Sequence, residues 1–284
     1  MRKGILKRIG LFALTIPVWL FIFMPVAWLI ISSISTRAEL LSTPMHWIPQ
    51  SPTLKNYIDI LTPGTTTSEV ARTFKITMMN SMLVATLVTV ICLLIGSLAA
   101  YALVRIHFPY REAMLVVILG TRMIPEISLV IPLYVVASQL RILNTPVVLI
   151  ITYLCFALPF SIWLLAAFFE TIPSELEDTA RIDGASRMRT LFQIILPISA
   201  PGLVSTALFI FLLCWDEFFF ALIFTSTIRA KTVPVAIAEF TGRYAVDITA
   251  MMTGGVLAAI PPVLLALLFQ RYIVRGLTAG AVKG

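Results

Sequence analysis

The chain has 284 residues, 59% of them hydrophobic and only 12% charged, with a mean hydropathy of +0.98. Soluble domains carry about 25% charged residues, so the composition excludes a soluble globular enzyme and points to an integral, all-α membrane protein. The net charge of +7 does not make it a nucleic-acid binder, because no basic stripe is interleaved with aromatics.

A membrane-spanning helix takes roughly 20 mainly apolar residues. The first such run, about 9–33, carries no charge and follows Arg2, Lys3, Lys7 and Arg8. It is too long for the apolar stretch of a signal peptide and lacks a small-x-small cleavage pattern, so it reads as a retained span. Ser35 to Lys75 holds Pro44, Pro49, Pro52 and Pro63 and reads as a loop with at most short helices. A second span covers about 76–104. After a short turn from Arg105 to Glu112, a third covers 113–138 and is apolar apart from Arg122 and Glu126. Ionisable groups inside a span cost about 2.5–3.5 kcal/mol each and are functional candidates by default. One helical turn apart, these two are expected to pair within the helix, with Pro125 between them loosening the backbone bonding. A neutralised pair facing a partner chain and a lining of a solute path both remain open.

A tight turn at Arg141 to Pro146 leads into a charge-free fourth span, 146–169. Next comes the most charged stretch of the chain, within a loop at 173–197: ELEDTARIDGASRMRTLFQIILP, Glu175 to Pro197. Ser174 followed by Glu177 has the spacing of a capping box, and the early acids suit a helix N-terminus. Gly184 either lies within one straight helix or ends a first helix, with Ser186 capping a second; the break is the preferred reading. Such a segment is either a solvated surface helix or a docking element, where a glycine permits close backbone approach and mixed charges meet complementary ones. The fifth span, 199–225, is interrupted only by Asp216 and Glu217. A loop at 227–247 precedes a clean sixth span, 248–270.

Orientation follows the lysine and arginine bias. With the N-terminus inside, the inner segments hold Arg2, Lys3, Lys7, Arg8, Arg105, Arg111, Arg181, Arg187, Arg189, Arg271, Arg275 and Lys283. The outer ones hold Arg37, Lys55, Arg72, Lys75, Arg141, Arg229, Lys231 and Arg243. The balance puts both termini and the 173–197 loop in the cytoplasm, and the 227–247 loop outside. Cys92, Cys155 and Cys214 lie in apolar runs without metal-ligand spacing. His46 and His107 fall on opposite sides of the membrane, and no catalytic or metal constellation is present. No lysine follows a glycine, so the chain has no phosphate-binding loop of the GxxxxGK[ST] type.

Asp178-Thr179-Ala180, Asp183-Gly184-Ala185 and the terminal Leu196-Pro197 resemble the EAA loop of ABC importer permeases. Asp178-Thr179 stands where that pattern usually has Glu-Ala. Ile131-Pro132-Leu133-Tyr134, WDEFFFALIF (Trp215 to Phe224), TVPVAIAEF (Thr232 to Phe240) and the tail GLTAGAVKG resemble the carbohydrate branch, of the maltose and trehalose type. Asp216 departs from the asparagine usual there. The resemblance implies a six-helix type I permease fold with cytoplasmic coupling helices, in a bacterial or archaeal inner membrane. It implies a non-catalytic subunit of a sugar importer, for a di- or oligosaccharide, that binds no cofactor itself.

The implied partners are a second, homologous permease (a heterodimer), two copies of an ATP-binding subunit carrying ATP and Mg, an extracytoplasmic sugar-binding protein and the lipid bilayer. Glu177, Asp178, Ala180, Asp183, Gly184 and Ala185 are then the expected ATPase-coupling residues. Arg122, Glu126, Trp215, Asp216 and Glu217 are expected along the translocation path, Trp215 stacking on a sugar or sitting in an interfacial belt. Thr232, Pro234 and Phe240 are expected to contact the binding protein, and the tail from Leu277 to Gly284 to approach the ATPases. An importer of polyols or glycerol phosphate and an ion-coupled secondary transporter are the competing functions.

Overall fold

The computed structural model describes residues 2–44, 46–62, 69–241 and 247–281, with side chains described over 14–44, 46–62, 73–241 and 247–272. Pro63, Arg243 and residues 282–284 of the tail lie outside the described residues. In a bilayer every backbone N–H and C=O must be bonded within its own segment, so long apolar runs become long helices. α1 (Arg2–Ser33) is followed by the short α2 (Arg37–Leu40) and α3 (Lys55–Leu61), then by α4 (Glu69–Arg105). α5 (Arg111–Gly120), α6 (Glu126–Gln139) and α7 (Pro146–Phe169) come next. The charged segment forms α8 (Glu175–Ile182), α9 (Arg187–Thr190), a π-helical turn at Leu191–Ile195 and α10 (Leu196–Ile198). α11 (Ala200–Trp215), α12 (Phe219–Phe224), α13 (Val233–Glu239) and α14 (Ile248–Ala281) follow. No β-strand forms among the described residues.

Among the described residues, four helical stretches are long and apolar enough to cross a bilayer: Leu14–Ser33, Thr73–Arg105, Pro146–Phe169 and Ile248–Tyr272. The total reaches six when two bent pairs are each counted as one span. α5 with its 3-10 turn meets α6 at 89°, and Arg187–Ile198 meets α11 at 80°. The expected third span is therefore not one helix. A 3-10 turn at Thr121–Met123 ends α5, and Ile124 is extended with φ −73° and ψ 122°. Proline disfavours the helical conformation in the residue before it, so Pro125 breaks the helix outright. The expected fifth span also breaks, with α11 ending at Trp215 and α12 starting at Phe219.

Contacts divide the chain into two units, one formed by Ile76–Val235 with the chain from Pro261 onward, the other by the chain through Lys75 with Ala236–Ile260. The first unit has an apolar core of Val88, Cys92, Leu149, Tyr153, Ile210 and Phe220, all nearly inaccessible. Its helices approach through small residues, as expected where lipid removes the hydrophobic drive between helices. A Cβ added at Gly202 would stand 2.4 Å from the Phe168 ring, whereas one at Gly96 would meet the Ser161 hydroxyl at 2.7 Å. A hydroxyl can rotate away and a packed ring cannot. Gly202→Ala should therefore lose about 1–3 kcal/mol of stability and Gly96→Ala less, compared as melting of the purified protein in detergent.

Asn144 fastens the α6–α7 turn of this unit to the end of α12. It sits at φ 57°, a left-handed conformation asparagine tolerates. Its N–H donates to the Phe224 carbonyl at 2.9 Å. Its Oδ1 accepts from the N–H groups of Ser226 (3.0 Å) and Thr227 (2.9 Å), and its Nδ2 donates to Thr227 Oγ1 at 2.8 Å.

The second unit is more polar. Ser33 Oγ shares a 2.6 Å hydrogen bond with the Tyr57 hydroxyl, and Asn56 Nδ2 donates to the carbonyls of Ser33 and Ser35 at 3.0 and 3.2 Å. Thr253 Oγ1 donates to the same Ser33 carbonyl at 3.2 Å. A capping box forms here at Thr36 and Glu39, and the Thr36 N–H, with other donors, holds the Glu39 carboxyl below its usual value.

Candidate functional site

The charged segment is a helix–turn–helix built around Gly184. α8 ends at Ile182, and Gly184 takes φ 79°, a backbone region open to glycine at no steric cost. Ser186 then caps α9, its Oγ accepting from the Arg189 N–H at 3.4 Å. The break is the geometry that the glycine and the serine favour. The expected capping box at Ser174 does not form: Ser174 has helical dihedrals and no side-chain capping bond. The Glu177 side chain turns inward instead, its Oε1 2.5 Å from Arg105 Nε and its Oε2 accepting from the Tyr101 hydroxyl at 3.0 Å.

The break also sorts the expected coupling residues into two sets. Asp178, Asp183 and Gly184 are exposed, Ala185 is half-buried, and Glu177 and Ala180 are buried. Apolar side chains share the exposed face with the charges: Ile182 is 86% exposed, Met188 52% and Leu176 42%. Asp178 pairs loosely with Arg181 at 3.6 Å. Beside α8 opens a cleft of about 330 Å³ lined by Phe168, Ile172, Pro173, Leu176, Ile198 and Pro201. Exposed apolar groups set among mixed charges are what a protein–protein contact surface uses.

A second feature gathers residues that the sequence spacing kept apart. Glu126, Asp216 and Glu217 line one cleft of about 540 Å³ with Phe156, Phe209, Phe218 and Phe219. Arg122 lies at its edge, 3.7 Å from Glu126 Oε1 and with its guanidinium carbon 5.8 Å from the centre of the Phe156 ring. The ion pair thus forms across the helix break rather than within a helix. Glu217 caps α12, accepting from the N–H groups of Phe220 (2.7 Å) and Ala221 (3.2 Å), while Asp216 is exposed. Carboxylates accept hydrogen bonds from hydroxyls and aromatic walls cover apolar ring faces, so the cleft suits a polyhydroxylated solute. Trp215 does not face it: the ring is buried and stacked on Phe211 with centroids 5.6 Å apart. Phe218 and Phe219 lie in the WDEFFFALIF segment, whereas Phe156 and Phe209 carried no sequence signal, because apolar aromatics abound throughout the chain.

The segment expected to meet a binding protein is ordered from within. Thr232 and Phe240 are buried, and Pro234 is half-buried. Ser81 Oγ accepts from the Val233 N–H at 2.8 Å, and Asn80 Nδ2 donates to the carbonyls of Ile228 and Lys231. Phe240 packs near Phe74, with ring centres 6.1 Å apart. Among the described residues no group of three or more His, Cys, Asp or Glu could hold a metal ion.

The family model of binding-protein-dependent transport system inner membrane components matches residues 93–279. The chain is 42% identical, over the full length of both, to the trehalose/maltose transport system permease protein of Thermococcus litoralis. It is 36% identical to the sulfoquinovosyl glycerol transport system permease protein of Agrobacterium fabrum, covering 92% of this chain and 88% of that one. Its fold is similar to a chain of a bacterial ABC transporter involved in import of the acidic polysaccharide alginate, with a TM-score of 0.78 at 20% identity, covering 96% of this chain and 98% of that one. The chain therefore belongs to the family of binding-protein-dependent transport system inner membrane components, and is a permease subunit of an ABC transporter rather than an enzyme.

Proposed function

We propose that this chain is one of two permease subunits of an ATP-driven importer of a di- or oligosaccharide. It forms half of the translocation path and receives force from ATPase subunits through the 173–197 segment. The partners are a second permease, two copies of an ATP-binding subunit and an extracytoplasmic sugar-binding protein, with ATP and Mg held by the ATPases. Both termini and the 173–197 segment face the cytoplasm, and the 227–247 segment faces outward. The sugar assignment is supported by relatives named for trehalose, maltose and sulfoquinovosyl glycerol. The observation that carries the coupling reading is the exposed face around Gly184, where Asp178, Asp183, Ile182 and Met188 stand together without burial.

The test is reconstitution of the chain with its partner permease, ATPase and sugar-loaded binding protein in vesicles. Uptake should require ATP and stop with a catalytically dead ATPase; uptake driven by an ion gradient alone would overturn the proposal in favour of a secondary transporter. A melting screen of the binding protein against sugars, polyols and glycerol phosphate identifies the solute. Within the cleft, Asp216→Ala and Glu126→Ala should each slow uptake about tenfold or more, the worth of a hydrogen bond to a charged group. Glu217→Gln, which keeps an acceptor for the α12 amides, should slow it less. Unchanged uptake in all three variants would remove the cleft from the path.

A further inference from the structure

We infer that the buried Arg105–Glu177 pair is the link through which the charged segment moves α4 and α7, so that Glu177, Arg105 and Tyr101 act as positioning residues in coupling. The inference rests on the docking role proposed for the 173–197 segment, but it concerns the opposite side of α8.

α8 has two unlike faces. Asp178 and Asp183 are exposed, while Glu177 is only 3% exposed and points toward the end of α4. There it meets Arg105 at 2.5 Å and accepts from the Tyr101 hydroxyl at 3.0 Å. The same guanidinium reaches the end of α7, where its Nη2 donates to the carbonyls of Phe169 (3.0 Å) and Ile172 (2.7 Å). One side chain from α4 therefore holds the end of α7 with its backbone bonds and α8 with its ion pair. The apolar cluster that contains Tyr101, Phe169, Ile172, Leu191 and Ile195 also joins α4 and α7, and ties both to the π-helical turn that follows α9.

An apolar contact alone resists separation but allows sliding. The Tyr101 bond to the Glu177 carboxylate and the Arg105 bonds to the two carbonyls are charge-assisted and have fixed directions. The ion pair joins the two sets, so a push on α8 is passed to α4 and α7 with little slip. A buried ion pair adds little net stability over a well-packed apolar replacement, which makes its geometric role the better reason for its place here. The family pattern does not single out Glu177, which precedes the Asp178-Thr179-Ala180 triplet; its burial does.

The test uses the assembled transporter in vesicles with loaded binding protein, trehalose being the first probe. Glu177→Gln and Tyr101→Phe should leave ATPase co-purification unchanged. Solute moved per ATP hydrolysed should fall about three- to thirtyfold for Glu177→Gln and less for Tyr101→Phe, the span expected when a coupling contact is lost. A purely structural defect lowers transport and hydrolysis in proportion and leaves that ratio unchanged, which would overturn the inference. Loss of ATPase co-purification in either variant would also overturn it, by making Glu177 part of the docking face. If Glu177→Gln fails to fold or insert at all, the ratio measured for Tyr101→Phe decides. Gly184→Trp separates the two proposals: ATPase retention in that variant would remove the docking reading, while a changed ratio in Tyr101→Phe would still support the link.

Discussion

Gly184→Trp is expected to abolish uptake while the protein still inserts and folds. The reason lies in the space around it: no atom beyond its immediate chain neighbours comes within 4 Å of a Cβ built at Gly184. A side chain can therefore leave the backbone there without a clash at its Cβ, and an indole on this exposed turn obstructs the approach of a partner. At the centre of a docking surface such a blockade removes 2 kcal/mol or more of binding, about thirtyfold or greater in affinity. The backbone contribution is separable. With φ at 79°, any L-residue other than asparagine or aspartate pays roughly 1–2 kcal/mol there, so Gly184→Asn is the control that keeps the turn without the bulk. Co-purified ATPase and uptake should both be lost in the tryptophan variant and largely kept in the asparagine one. Equal loss in both would trace the effect to the turn, and normal transport by Gly184→Trp would remove the docking assignment.

Arg105→Met should be the most destabilising single change at this end of the molecule. It strands the Glu177 carboxylate in a buried site with only the Tyr101 hydroxyl to satisfy it. It also takes a donor from the Phe169 and Ile172 carbonyls. Removing one partner of a buried ion pair costs about 3–5 kcal/mol, whereas replacing both with apolar residues is often neutral. The double variant Arg105→Met, Glu177→Leu should therefore be markedly more stable than Arg105→Met alone, and the two changes should be strongly non-additive. Melting of the purified protein in detergent gives the comparison; a double variant no more stable than the single one would contradict it.

What could be read from the sequence followed from strong local rules. The long apolar runs, the break after α8 and the cap at Ser186 were legible, because glycine and serine at those places have few alternatives. Pro125 was visible too, but its effect was read too weakly. A helix pattern continues on both sides of it, and only the extended Ile124 shows that the two halves point in different directions. Glu177 was misplaced for a similar reason. The spacing from Ser174 matches a capping box, but the local bond competes with a buried guanidinium from α4, 72 residues earlier in the chain. The gathering of Glu126 with Asp216 and Glu217 is a long-range fact of the same sort, which no periodicity encodes.

The helix break at Asp216–Phe218 lines the cleft, and the break at Thr121–Pro125 ends beside it, at Glu126. Backbone groups freed from a helix at membrane depth are tolerated only where protein or water satisfies them, so a cleft at that depth is either sealed by protein or filled with water. Where water fills it, a high dielectric constant is carried inward, and a membrane potential then falls across the dry remainder of the barrier alone. The field over that remainder is steeper than over the lipid around it, and a charge displaced there does more electrical work per ångström.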